Sequence, residues 1–259
     1  MIDSLYIGAT GMNAQQLGID TVANNLANVN TSGFKRGRAE FADLVYRTIE
    51  LPGAMNGARA ASGRMGMGAA VSASAKMFGA GEIKKTGETY DLAVNGAGFF
   101  EVVLPDGSLA YTRNGAFRLD REGLLASPEG YRLSAQLQLP PDAREVRIAA
   151  DGGVFARLPD ETAEAQLGKI ELAAFPNPAG LSSLGDNLYG ATDQSGAATL
   201  GAGGDGGRGQ VQQGFLEGSN VKLIDELLGL ILAQRAYELN AKVVQASDEL
   251  LGMANNLHR

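Results

Sequence analysis

Residues 220–257 form the longest uninterrupted periodic run of the sequence, and they contain no proline. Apolar or small residues recur there at steps of three and four, which predicts an amphipathic helix. A second apolar file runs beside the first in the N-terminal half, so one partner helix cannot cover both, and we expect contacts with other chains. The alternative is a helix packed only on its own domain. The residues predicted to contact other copies are Val221, Ile224, Leu228, Ile231, Leu232, Leu239, Val243 and Leu250.

Residues 2–29 repeat this pattern at the other end of the chain and predict a second amphipathic helix. Gly33, which can adopt the left-handed conformation, is predicted to end it. Because each terminal helix carries an apolar stripe, we expect a coiled-coil-like pair, so that residues 1–35 and 219–259 form one helical domain. On this first helix the predicted assembly residues are Ile2, Leu5, Met12, Ile19 and Leu26.

The middle of the chain has a different pattern. Between residues 91 and 175, short apolar runs alternate with Asp-Gly and Asn-Gly turns, which predicts an antiparallel β domain. Residues 36–90 and 176–218 lose this periodicity and are rich in glycine, so we expect them to be extended connectors. The predicted fold class is therefore α+β, with two long terminal helices, an inserted antiparallel β domain and a connector on each side of it.

The composition excludes several kinds of chemistry. The chain has no cysteine, which rules out disulfides and thiolate sites, and its net charge of −7 gives no general reason to bind nucleic acid. The single histidine is the penultimate residue, His258, where it is poorly placed for a catalytic triad or a metal site. The sequence therefore predicts no enzyme activity, no cofactor and no metal. The first positive charge is Lys35, so we also expect no cleavable secretory signal, and no apolar run is long enough to insert into a membrane.

Four short motifs, taken in order, resemble those of the axial proteins of the bacterial flagellum, the basal-body rod protein family. They lie at residues 24–36, 91–100, 111–117 and 219–221, and the last is followed by a matching stretch at 234–238. The resemblance extends over essentially the whole chain. The motif residues singled out as the family signature are Asn24, Asn25, Leu26, Ala27, Asn28, Gly33, Phe34, Lys35, Gln234, Arg235 and Tyr237.

The resemblance implies a structural protomer that assembles head to tail into a hollow, rigid rod in the periplasm, which transmits torque and passes exported subunits. It implies export without a cleaved signal, and contacts with proximal-rod proteins, the hook protein and the surrounding ring proteins. Within the family the resemblance is strongest to distal-rod members. A proximal-rod or hook paralogue is the alternative, and a monomeric binding module built on the β domain is the alternative from another class.

Overall fold

The computed structural model describes residues 2–50, 62–140, 145–157 and 165–256. Helix α1 spans Ile2–Ala27 and helix α2 spans Leu223–Asn256, and the strands lie between them in the sequence. The prediction of two terminal helices with antiparallel β structure between them is confirmed. With 34 residues, α2 is about 51 Å long.

The chain divides into two compact units. The helical unit comprises Met1–Leu26, Gly37–Ala75 and Lys222–Arg259. The β unit comprises Ala27–Arg36 and Lys76–Val221. The short segment before Gly37 therefore belongs to the β unit, although it directly follows the first helix.

The helical unit contains an antiparallel ribbon as well as the two helices. Strand β1 (Gly37–Asp43) pairs with β4 (Ala69–Lys76), and β2 (Tyr46–Glu50) pairs with β3 (Ser62–Gly66). The prediction that residues 36–90 form an extended connector was wrong for these residues. Their small side chains do not build a core, but the paired strands satisfy each other's backbone hydrogen bonds, which requires no apolar periodicity.

The β unit is built around a nine-stranded sheet. Its central strand β7 (Phe99–Val103) is covered on both faces, because successive side chains point in opposite directions. Phe100 and Val102 enter one apolar cluster, whereas Phe99 enters a second cluster of mostly aromatic side chains. The other strands of this sheet are β8 (Leu109–Thr112), β9 (Arg118–Leu119), β10 (Leu125–Ala126), β11 (Arg132–Leu133), β15 (Leu172–Ala174), β16 (Ser182–Gly185), β17 (Leu188–Gly190) and β18 (Thr199–Gly201).

Smaller sheets complete the β unit. Its first core cluster also includes residues of β6 (Leu92–Asn95), β12 (Glu145–Ile148), β13 (Gly153–Arg157) and β19 (Gln210–Gln213). Strand β14 (Ala165–Lys169) pairs with β13, and β5 (Ile83–Lys85) pairs with β20 (Phe215–Glu217). All of these pairings are antiparallel.

The prediction that residues 176–218 form an extended connector was also wrong, because strands β16 to β20 lie within this segment. Leu188 and Val211 from this segment are buried in the main core cluster. Its glycines form turns rather than a loose chain: Gly185, Gly196 and Gly214 all have positive φ, which glycine adopts without steric cost. A few apolar residues per strand are enough here, since strands from elsewhere in the chain supply the rest of the core.

A substitution at Gly115 tests how closely the backbone segments of the β unit pack against each other. An added Cβ at Gly115 would overlap the backbone carbonyl of Leu92, which cannot move without disturbing the core, so Gly115→Ala should lower the free energy of unfolding by about 3 kcal/mol or more. Gly107→Ala is the control, because that turn glycine has φ of +83° but no atom within 4 Å of the added Cβ. It should cost only about 1 to 2 kcal/mol. Equal losses in denaturant unfolding would contradict the close approach of Gly115 to Leu92.

Candidate assembly interface and buried ion cluster

Helix α2 presents a face of large apolar side chains that the described part of the chain leaves exposed. Ile224 is 72% exposed, Leu232 is 70% exposed and Leu239 is 62% exposed. Single exposed leucines are ordinary on protein surfaces, but a whole helix face of them marks an interaction site. We call this set the exposed face of α2; its members are Ile224, Leu228, Ile231, Leu232, Leu239, Val243 and Leu250.

The opposite face of α2 meets α1, and small residues make this contact. An added Cβ at Gly8 would lie 2.7 Å from Val244 Cγ2, and one at Gly11 would lie 2.8 Å from Asn240 Nδ2. Nearer the start of α2, Gly229 lies beside Val22. As α1 advances, its contacts move back along α2, so the two helices run antiparallel.

A buried polar contact marks the other end of this helix pair. Asn25 is 1% exposed, and its Nδ2 donates to Gly37 O at 2.9 Å and to Glu226 Oε2 at 3.1 Å. The Gly37 amide donates back to Asn25 Oδ1 at 2.7 Å. One asparagine side chain thus joins α1, the start of β1 and the first turn of α2, because a carboxamide both donates and accepts.

The predicted assembly residues of α1 that the structure describes are less exposed than those of the exposed face of α2. Leu5, Met12, Ile19 and Leu26 are half-buried, and the side chain of Ile2 lies outside the described residues. None of the contacts with α2 described above uses these residues. The signal that the sequence analysis missed was the pair Gly8 and Gly11, three residues apart, which lie on one face of the helix.

Val221 does not belong to the exposed face of α2. It is 8% exposed and precedes the first residue of the helix, so its inclusion among the assembly residues was wrong. The periodic pattern continued through Val221 because an apolar residue just before a helix is indistinguishable, in a sequence, from one in its first turn.

The β unit contains a cluster of two cations and one carboxylate, which we call the ion cluster. Lys35 is fully buried, Glu217 is 1% exposed and Arg113 is 3% exposed. Lys35 Nζ lies 2.6 Å from Glu217 Oε1, and Arg113 Nη1 lies 3.3 Å from Glu217 Oε2. Each oxygen of the one carboxylate therefore pairs with a different cation.

Backbone groups complete the ion cluster. Lys35 Nζ donates to Gly79 O at 2.8 Å, and the Gly81 amide donates to Glu217 Oε1 at 2.7 Å. Arg113 donates from Nη1 to Val94 O at 3.2 Å and from Nη2 to Gly96 O at 2.7 Å. Such bonds are what makes the burial of charge tolerable, because an ion that leaves water must replace its hydration with other polar contacts.

The four sequence motifs meet at this cluster. Lys35 belongs to the first, Val94 and Gly96 to the second, and Arg113 to the third. The fourth contributes Asn220, whose Oδ1 accepts from the Arg36 amide at 2.7 Å and whose Nδ2 donates to Met77 O at 2.7 Å. Residues that are distant in the sequence are thus gathered at one place in the β unit.

Two further signature residues support the turn before Lys35. Gly33 has φ of +71°, and an added Cβ there would overlap the backbone of Asn114. Its amide donates to Glu217 O at 2.8 Å. Phe34 is buried, and Lys76 Nζ lies 4.5 Å from its ring centroid.

The remaining signature residues are on the surface or in local contacts. Thr31 Oγ1 donates to Asn28 Oδ1 at 3.1 Å, Asn24 and Ala27 are exposed, and Leu26 is half-buried. On α2, Gln234 and Tyr237 are exposed, and Arg235 pairs with Glu238 at 2.8 Å on the surface.

Burial governs the titration of the ion cluster. It lowers the pKa of Lys35 and of Arg113, and the Glu217 carboxylate opposes both shifts. Tyr189 lies in the same region, where burial, with a smaller contribution from the charge of Glu217, raises the pKa of its hydroxyl from 10.0 to about 12. At neutral pH the phenol stays uncharged beside the buried carboxylate.

Three family models match the chain. They are the flagella basal body rod protein model at residues 5–35, the flagellar hook protein FlgE/F/G D1 domain at 93–156, and the flagellar basal body rod FlgEFG protein C-terminal model at 212–257. A flagellar basal-body rod protein FlgG of Borreliella burgdorferi is 41% identical, and the comparison covers 100% of both chains. The chain belongs to the flagellar basal-body rod protein family.

Other members of the rod-protein family are also similar over nearly their full length. The flagellar basal-body rod protein FlgG of Bacillus subtilis is 39% identical over 100% of both chains. The flagellar basal-body rod protein FlgF of Caulobacter vibrioides is 33% identical over 96% of this chain and 95% of its own. Membership of this family makes the protein a structural component of the flagellum and not an enzyme.

Neither a membrane span nor a metal centre is found within the described ranges. Neither α1 nor α2 is apolar enough over a sufficient length to cross a bilayer. No group of three or more acidic or histidine side chains there is arranged to hold a metal ion.

Replacing the carboxylate of the ion cluster tests its contribution to stability. Glu217→Gln leaves two buried cations without their anion, so the free energy of unfolding should fall by about 3 to 5 kcal/mol in chemical denaturation. The control is Glu82→Gln, because Glu82 is exposed and its carboxylate lies 3.8 Å from the amine of Lys84, which is also exposed. That change should have little effect, since surface ion pairs contribute little. If both variants lost a similar amount of unfolding free energy, the buried Glu217 carboxylate would contribute no more to stability than a surface carboxylate.

Alkaline titration tests the environment of Tyr189. Because its folded pKa lies above its ordinary value, the stabilising contribution of Tyr189 is complete below pH 10 and is lost as the pH rises toward 12. The loss should reach about 2 to 3 kcal/mol. Denaturant unfolding between these pH values should therefore show a steeper decline for the wild type than for Tyr189→Phe. The same pH dependence in both proteins would contradict the assignment.

Proposed function

We propose that this chain is the repeating protomer of the distal rod of the bacterial flagellum, assembled head to tail into a hollow, rigid drive shaft. The observation that carries the proposal is the exposed face of α2, which is apolar over a length that a free soluble protein has no reason to leave open. Other copies of the chain would cover it. An open helical polymer needs such heterologous contacts, in which one surface of a protomer binds a different surface of the next.

The comparisons favour the distal rod over the paralogues. The FlgG proteins of Borreliella burgdorferi and Bacillus subtilis are 41% and 39% identical to this chain, whereas the FlgF protein is 33% identical. The FlgG type is the distal-rod member of the family. All of these comparisons extend over nearly the full length of both proteins, so the preference does not rest on a single motif.

The terminal helices would form the axial core of the rod as a coiled-coil-like pair. The run of contacts from Gly8–Val244 to Asn25–Glu226 supports one constant antiparallel register, because the residue numbers of each contacting pair add to nearly the same total. Glycines at this contact let α1 approach closely and leave the large side chains of α2 for other copies. A rod that transmits torque also needs rigid protomers, and the ion cluster gives the β unit that property.

We infer the location and the remaining partners from the resemblance to the family. The rod would lie in the periplasm, its subunits would be exported without a cleaved signal, and its neighbours would be proximal-rod proteins, the hook protein and the surrounding ring proteins. None of these contacts involves nucleic acid or insertion into a membrane. The net charge of −7 gives no general electrostatic reason to bind nucleic acid or an anionic membrane surface.

Leu228→Asp tests directly whether the exposed face of α2 joins the protomers. Leu228 is 56% exposed, so the free chain should fold with nearly unchanged stability. Burying a leucine in a contact stabilises it by roughly 1.5 to 3 kcal/mol, and a buried carboxylate adds a desolvation cost. The concentration needed for polymerisation should rise at least about a hundredfold in light scattering, and cells that carry the variant should not swim.

The matched control is Gln245→Asp, which adds the same charge on the exposed polar flank of the same helix, in line with Gln234 and Glu238. It should polymerise and support swimming far better than Leu228→Asp. Normal polymerisation by Leu228→Asp would exclude the exposed face of α2 from the interface. A wild-type protein that stays monomeric at every concentration, even with rods added as seeds, would instead favour the monomeric binding module.

A further inference from the structure

The end of strand β6 carries an exposed Asn–Gly sequence that the rod function does not use. Asn95 is the last residue of β6, Gly96 follows it, and both are exposed. Gly96 has φ of +122°, a conformation that suits glycine. Because glycine has no Cβ, its amide nitrogen is the least hindered of all residues toward the side chain that precedes it.

We propose that Asn95 is a site of spontaneous deamidation, with water as the only co-reactant. The Gly96 amide nitrogen loses its proton to solvent base and forms a bond to Asn95 Cγ. The bond from Cγ to the carboxamide nitrogen then breaks, and that nitrogen leaves as ammonia, so a cyclic imide remains. Water opens the imide at either of its two carbonyls and yields aspartate or isoaspartate. Nothing is oxidised or reduced in these steps.

The neighbouring guanidinium makes this site more reactive than an exposed Asn–Gly sequence alone. Arg113 Nη2 donates to Gly96 O at 2.7 Å, and Nη1 donates to Val94 O at 3.2 Å. Arg113 is fixed there by burial and by Glu217. A fixed positive charge next to the Gly96 peptide stabilises the deprotonated nitrogen on which ring closure depends.

The chain contains the same dipeptide in the opposite environment at Asn114–Gly115. Gly115 is buried and an added Cβ would overlap the carbonyl of Leu92, whereas Gly96 is exposed and the nearest atom to an added Cβ there is Gly209 Cα at 2.7 Å, so Gly115 has less room to rearrange. Asn114 Oδ1 accepts a hydrogen bond from the Ala116 amide at 3.2 Å, which ring closure would break. Asn114 is therefore an internal control with the same Asn–Gly–Ala sequence, preceded by Arg113 instead of Val94.

Deamidation at Asn95 would act on the ion cluster. Isoaspartate adds a methylene group to the backbone between the carbonyls of Val94 and Gly96, and these are the two carbonyls that Arg113 binds. Asn95 also pairs with Gln210 across β6 and β19. The modified chain should therefore hold Arg113 less firmly, so the β unit of aged protein should unfold at lower denaturant concentration.

Peptide mapping by mass spectrometry on the full-length protein, aged in mildly alkaline buffer, tests the proposal. In the folded protein, Asn95 should convert at least about tenfold faster than Asn114. In protein held unfolded by denaturant the two should convert at similar rates, because the fold makes the difference. Equal rates in the folded protein, or a faster Asn114, would overturn the proposal.

Asn95→Gln separates the chemistry from its effect on stability, because glutamine forms the corresponding ring far more slowly. Both proteins would carry Asn56→Gln, which removes the third Asn–Gly sequence, at residues outside the described ranges. The denaturation midpoint should fall on ageing when Asn95 is present and stay constant in Asn95→Gln. Parallel behaviour of the two proteins would show that conversion at Asn95 does not reach the ion cluster.

Discussion

The Glu217 carboxylate is the group on which the β unit depends most. It joins Lys35, from the segment that follows the first helix, to Arg113, from the middle of the chain, and it lies a few residues before the second helix begins. A buried charge without a partner is far more costly than a missing apolar contact. The β unit is therefore complete only when all three segments are in place, and this explains why the sequence motifs that mark the family lie far apart in the chain yet meet at one cluster.

The helical unit, unlike the β unit, leaves most of the large apolar side chains of α2 exposed. Its two helices meet through Gly8, Gly11 and other small or polar residues, so the contact between them buries few large side chains. The leucines, isoleucines and valine of the exposed face of α2 contribute little to the free chain, and their burial is available for assembly. A protomer arranged in this way would have a rigid β unit of its own and a helical unit whose apolar surface is covered only in the proposed polymer.

The sequence predicted the parts of this fold that depend on local periodicity. The two helices and the surplus apolar surface of α2 follow from apolar residues at steps of three and four, and the antiparallel strands around residues 91–175 follow from short apolar runs separated by turn dipeptides. It did not predict the ribbon of β1 to β4 or the strands of 182–217, because their pairing is set by partners distant in the sequence and their glycines resemble a linker. The ion cluster was missed for the same reason: Lys35 and Arg113 each look like ordinary surface cations, and only the fold brings them to one carboxylate.

Thiol labelling at Leu232 tests most directly whether other copies cover the exposed face of α2. The chain has no cysteine, so Leu232→Cys introduces a single reactive group at a position that is 70% exposed in the free chain. We predict rapid reaction with a maleimide in the free protein and strong protection once the same protein has assembled into rods. Equal labelling rates in the free and assembled protein would mean that this face stays open to solvent in the rod, which would contradict its role as the surface that joins the protomers.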